Sequence, residues 1–179
     1  TIGTYDGVHF GHQQIIKRLN DIAKEIDGES ILLTFDPHPR LILHPEDDTL
    51  KLISTIDEKE ELLETFGLNH MVIAEFSKDF ASMHAEDYVK KILIDNFHPK
   101  KIVIGYDHHF GKDRQGNINL LRELSTKYNY EVEEISAQTL DEIKVSSTKV
   151  RNFLLDGNIK EANKLLAHPF LIKGKVIHG

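Results

Sequence analysis

Gly3-Thr4-Tyr5-Asp6-Gly7-Val8-His9-Phe10-Gly11-His12 is the stretch on which the reading of this sequence turns. It follows a short strand-like stub, Thr1 to Gly3. It opens a segment in which Ile15, Ile16, Leu19, Ile22, Ala23 and Ile26 recur at helical spacing. The ten residues are therefore a turn between a strand and a helix. A helix N-terminus presents free backbone N–H groups and the positive end of the helix dipole, so it favours an anion. Gly7 and Gly11 let the backbone approach that anion closely. His9 and His12 are three apart, so both rings can face the same side and donate to phosphate oxygens. Two other readings compete. One is a plain loop with two satisfied histidines. The other is a zinc site completed by His108 or His109, but the glycines suit phosphate better than metal.

Working outward, short apolar runs alternate with amphipathic ones. Strands are expected at residues 30–35, 70–74, 101–104, 130–135 and 170–178. Helices are expected at 11–26, at 54–66 with Gly67 as the stop, and at 85–96, 118–128, 149–155 and 159–166. Residues 40–53 are the most loop-like. Alternation of this kind implies an α/β fold, a doubly wound parallel sheet with helices on both faces. Ligands of such sheets bind outside the carboxyl ends of the strands.

Composition narrows the function classes. The chain has 179 residues, enough for one domain and a fragment of another. The 40% apolar content suffices for a core. With 22 basic against 29 acidic side chains, the net charge is −7. That disfavours general binding to nucleic acid, although a local basic pocket stays open. No apolar run is long enough for a membrane span. The absence of cysteine excludes disulfides, thiolate zinc sites and a cysteine nucleophile. No signal peptide is legible, and the start reads as trimmed.

Three further loops fall at expected strand ends or helix starts. Ser146-Ser147-Thr148-Lys149-x-Arg151 puts hydroxyls at a helix N-terminus and a guanidinium one turn on. Gly105-Tyr106-Asp107-His108-His109-Phe110-Gly111 follows a strand, and Asp107 can meet a ribose hydroxyl or a nucleotide-borne metal. Thr34-Phe35-Asp36-Pro37-His38-Pro39-Arg40 stiffens a strand end into an extended segment, with Arg40 available to an anion. Each alone reads as an ordinary turn or cap. Their convergence at one edge of the sheet argues for one phosphate-handling cleft.

These motifs, in this order, resemble the FMN adenylyltransferase domain of bacterial bifunctional riboflavin kinase/FAD synthetase. That domain lies within the His-x-Gly-His nucleotidylyltransferase superfamily. The run from Gly157 to Asn163 and the tail from Gly174 to Gly179 share the resemblance. It implies transfer of AMP from ATP to FMN, giving FAD and pyrophosphate with Mg²⁺ carried mainly by the ATP phosphates. Within that resemblance His9, His12 and Arg151 are the catalytic residues. Gly3, Thr4, Asp6, Gly11, Asp107, Ser147 and Thr148 are ATP-binding. Asp36, Pro37, His38, Pro39, Tyr106, His108 and Phe110 line the flavin side. The resemblance further implies a cytoplasmic enzyme with no nucleic-acid or membrane partner. Residues 1–166 are the transferase domain, and 167–179 the linker and first strand of a riboflavin kinase barrel that only a longer parent would carry.

The chain departs from the family's usual residues at Tyr5, Phe10, Ala167 and His168, and most visibly at His108-His109, where Phe-Arg is common. The alternatives are another adenylyltransferase of the superfamily, with pantetheine phosphate or nicotinamide mononucleotide as acceptor, or a non-catalytic nucleotide- or flavin-binding module.

Overall fold

The computed structural model describes residues 1–136 and 145–177. The end of the expected last strand, His178, lies outside the described residues, as does Gly179. Helix α1, Phe10–Glu25, buries Ile15, Ile16, Leu19, Ile22 and Ala23 along one face, as their spacing demands. Each such side chain contributes roughly 1.5–3 kcal/mol by leaving water. Strand β1, Ile31–Asp36, pairs in parallel with β2, His70–Glu75. Strand β3, Lys101–Gly105, pairs in parallel with β4, Glu131–Ile135.

The N-terminal stub joins the two pairs. Ile2 bridges Leu33 in parallel, and its side chain packs in one core cluster with Ile102 and Ile104 of β3. A single bridged residue is too short to complete a ladder to both neighbours. The expected parallel sheet therefore shows as two hydrogen-bonded pairs with the stub beside β1. Ile16, Leu32, Leu63 and Val103 fill a second core cluster on the α1 side.

The remaining helices are α2, Pro39–Leu43; α3, Ile56–Thr65; α4, Lys78–Ala81; α7, Ile118–Tyr128; α8, Ser147–Leu155; and α9, Ile159–Leu166. Between α4 and β3 the chain makes α5, Ala85–Asp87, a π-helical stretch Tyr88–Ile94, and α6, Asp95–Phe97.

Four expectations change. The two prolines do not hold an extended run, because Pro39 is the first residue of α2, where a missing N–H costs nothing. The start of α3 is capped by Thr55 and not Ser54. Thr55 and Glu58 exchange side-chain and backbone bonds in a capping box. Arg40, expected to face an anion, instead pairs its exposed guanidinium with Asp47. The tail expected as a strand forms no ladder over residues 170–177. A strand needs a partner edge, and Ile172, Val176 and Ile177 stay exposed. The tail is nonetheless tied back: Lys173 N donates to Glu58 at 3.2 Å, and its ammonium pairs with Glu61.

Candidate active site

The signature turn is shaped by backbone that ordinary residues avoid. Tyr5 is left-handed, and Gly7 at φ 74° lies inside a 3₁₀ turn, Asp6–Val8. A Cβ on Gly7 would sit 2.6 Å from Cγ2 of Ile53, so this glycine is required both by conformation and by space. The turn is also clamped from outside. Gly7 N donates to Ser54 Oγ at 3.1 Å. Gln13 Nε2 donates to the carbonyls of Val8 at 2.8 Å and Leu166 at 2.6 Å. His168 Nε2 bonds Gly7 O at 3.0 Å. The end of α9 and the residues after it thus brace the turn directly.

Asp6 is the hub of this clamp. Its Oδ1 accepts from Ile53 N at 2.9 Å and Ser54 N at 3.2 Å. Its Oδ2 accepts from Arg151 Nη2 at 3.0 Å, and its carbonyl accepts from Ser147 Oγ at 3.1 Å. Asp6 is 2% exposed. Asp6, expected at ATP, directs its carboxylate to Ile53, Ser54 and Arg151 of the protein itself. It fixes two loops and holds Arg151. The hydroxyl of Ser147 is likewise engaged, and Thr148 is exposed off the cleft.

His9 caps α1, its Nδ1 accepting from His12 N at 3.4 Å. A neutral ring with Nδ1 as acceptor carries its proton on Nε2, so His9 is a donor there. The rings of His9 and His12 stack at 3.6 Å between centroids and 13° between planes, and His12 stacks in turn on Tyr5 at 4.5 Å. The expectation that the two rings share one side of the turn is met. Burial pushes the His9 pKa down to about 4, against a smaller raising pull from Asp6. His12 lies well below the usual histidine range, chiefly through burial and then through His9 and Lys59. His12 Nδ1 is buried without a partner among the described residues. Both histidines are therefore neutral at pH 7.

A cleft of about 710 Å³ opens here, inside the range of ligand pockets. His9, Gly11 and His12 form one wall, Tyr106, Asp107 and His108 a second, and Ser146, Ser147 and Lys149 a third. It lies at the carboxyl ends of the stub and β3, where ligands of parallel sheets bind. A smaller cleft of about 280 Å³ opens at the other end of the strands, beside Thr1, Ile31 and Lys101.

Tyr106 and His108, read from sequence as flavin-side, stand on the same cleft as the signature histidines. His108 is neutral too, burial holding it to about 4. Its Nε2 has no partner among the described residues. Phe110 is a core side chain instead, 8% exposed and packed on Tyr88 at 5.2 Å. Gly3 backs onto the ring of Tyr5, and the carbonyl of Thr4 accepts from Thr34 Oγ1 at 3.3 Å. Asp36, Pro37, His38 and Pro39 lie outside the cleft wall, at the end of β1. His38 feels Asp6, Arg151 and Lys59, which places that segment beside the signature turn.

One residue escaped the sequence reading. Lys59 of α3 is 5% exposed, and its ammonium donates to Thr34 Oγ1 at 3.4 Å. Its position, three and four residues before Leu62 and Leu63 on the buried helix face, was the available signal.

Comparison with known proteins agrees with the geometry. A family model described as FAD synthetase matches residues 1–149. A bifunctional riboflavin kinase/FMN adenylyltransferase from Buchnera aphidicola subsp. Schizaphis graminum is 39% identical over the whole chain, which spans 57% of that protein. A FAD synthetase from Listeria monocytogenes is 36% identical over the whole chain, which spans 72% of that protein. A solved structure described as a macrolide-efflux protein from Streptococcus pneumoniae shares the fold, with TM-score 0.82 and 31% identity over 99% of this chain and 59% of that one. Among the described residues no helix is long and apolar enough to cross a membrane. By the family model over residues 1–149 and the relatives matched over its whole length, the chain belongs to the FAD synthetase family.

Proposed function

We propose that this chain transfers AMP from ATP to the phosphate of FMN, releasing pyrophosphate and forming FAD. The observation that carries the reading is the cleft shared by the stacked His9–His12 pair, the glycine loop and the start of α8. Two helix N-termini converge there, each able to receive phosphate charge.

The chemistry needs no side-chain nucleophile. An oxygen of the FMN phosphate attacks the α-phosphorus, and the bond from that phosphorus to the β-phosphate oxygen breaks. Catalysis is then positioning and charge stabilisation. His9 and His12, held neutral by burial, act as hydrogen-bond donors rather than counter-charges. They cost little reorganisation because stacking and the cap already fix them. Arg151 is bridged to Asp6 and does not line the cleft, so it acts on the pyrophosphate side by holding the start of α8 to the signature turn. Lys149 lines the cleft itself on the α8 wall.

Among the described residues Asp107 is the one carboxylate lining the cleft. That donor set suits Mg²⁺ arriving on the ATP phosphates with most of its waters kept. The ion would offset phosphate charge while Asp107 orients its hydration shell. Riboflavin phosphorylation belongs to the remainder of the longer relatives, and the location we propose is the cytoplasm.

The test is incubation of the chain with FMN and Mg·ATP, with riboflavin and Mg·ATP as control. FAD and pyrophosphate are expected from the first mixture only. Flavin binding without product would support a binding module instead. Adenylylation of pantetheine phosphate or nicotinamide mononucleotide in place of FMN would support another transferase.

A further inference from the structure

Lys149 lines the cleft; three further cations, Arg40, Arg151 and Lys59, lie near the signature turn and the end of β1, and two of them pair with a carboxylate. Arg40 is paired with Asp47, and Arg151 with Asp6. Lys59 has no carboxylate within ion-pair distance among the described residues; its recorded hydrogen bond is to the hydroxyl of Thr34. Buried charges in folded proteins are paired, or they meet a ligand. At 5% exposure Lys59 is the exception here.

Its position says which ligand. Thr34 lies two residues before Asp36 at the carboxyl end of β1, and its hydroxyl also bonds Thr4, the entry to the signature turn. The charge of Lys59 is felt by His12 on one side and by His38 on the other. Through Thr34, Lys59 is tied both to the entry of the signature turn and to the strand that ends at Asp36. An acceptor phosphate held there would approach the cleft from the β1 side, across from the wall formed by the start of α8. Burial lowers the pKa of the ammonium while Asp6 and Asp36 raise it.

Resting on the reading of this chain as an FMN adenylyltransferase, we propose that Lys59 binds the phosphate of the acceptor and sets the preference for a phosphorylated flavin over riboflavin. The ammonium keeps donors beyond the one given to Thr34, and an approaching phosphate dianion supplies the missing counter-charge.

The experiment compares wild type with Lys59→Met and Lys59→Arg. Dissociation constants for FMN, riboflavin and ATP come from flavin fluorescence and calorimetry, alongside KM and kcat for FAD formation. Lys59→Met should weaken FMN by roughly 10- to 100-fold, the value of a charge-assisted hydrogen bond. Riboflavin and ATP should stay within about twofold, since neither uses this contact. The variant should melt no lower than wild type, because an uncompensated buried charge is replaced by a side chain of similar volume. Lys59→Arg should recover most of the FMN affinity.

Equal weakening of FMN and riboflavin, or unchanged FMN affinity in a folded Lys59→Met, would overturn the assignment. So would a loss confined to ATP. If Lys59→Met does not fold, Lys59→Gln carries the test: weakening of FMN beyond riboflavin supports the assignment, and an unaltered ratio of FMN to riboflavin affinity overturns it. A wild-type protein that forms no FAD would remove the underlying reading. A wild type that forms FAD beside an indifferent Lys59→Met would remove Lys59 alone.

Discussion

Replacing Asp6 by Asn keeps shape and removes charge. Oδ1 still accepts from Ile53 N and Ser54 N, but the atom facing Arg151 becomes an N–H donor against a donor. The side chains of Asp6 and Arg151 are 3% and 13% exposed, so solvent does little to relieve the orphaned guanidinium. Breaking a buried pair by removing one partner costs roughly 3–5 kcal/mol. For a chain of this length each kcal/mol moves the melting temperature by roughly 2–4 °C, so a fall of roughly 6–20 °C is expected. Asp6→Ala should fall further, since two buried backbone donors also lose their acceptor, at roughly 1–3 kcal/mol each. The double variant Asp6→Asn with Arg151→Met should melt higher than Asp6→Asn alone, because no charge is then left unpaired. Thermal melts followed by circular dichroism read all four proteins. If Asp6→Asn melts within about 2 °C of wild type, the hub role of Asp6 is wrong.

Other expectations follow from the same geometry. Gly7→Ala forces a Cβ onto Ile53 at positive φ and should cost roughly 1–3 kcal/mol, with a drop in FAD formation as the turn shifts; an unchanged melt and rate would contradict it. His12→Ala should lower FAD formation by on the order of a hundredfold or more while calorimetry still detects ATP, and undiminished turnover would remove His12 from the reaction. The pH dependence of stability has a fixed sign. His9 and His108 bind protons near pH 6.5 when unfolded and only near 4 when folded, so the folded state loses stability as pH falls from about 6.5 toward 4. His108→Phe should make the decline of melting temperature over that window shallower, and an identical slope would refute the buried neutral ring.

Much of the fold was legible because two periodicities alternate cleanly. The face Ile15, Ile16, Leu19, Ile22 and the run Ile31 to Phe35 can be little else than a helix and a buried strand. The cleft was legible because its walls come from loops that follow strands or open helices. What sequence hid is long-range. That Asp6 holds Arg151, 145 residues away, is a fact of topology. Lys59 sits in the charged run Asp57 to Glu61, which reads as solvated surface until α3 is seen to turn that position inward. The start of α2 at Pro39 and the unpaired tail likewise depend on neighbours that local pattern does not name.

The central claim is that the α-phosphate of ATP moves to the flavin. The most direct measurement follows two labels, one on the α-phosphate and one on the γ-phosphate, in a reaction of this chain with FMN and Mg·ATP. The α label is expected in FAD and the γ label in pyrophosphate, at one-to-one stoichiometry. A γ label in flavin, or α label released as free AMP with FMN unchanged, would contradict it.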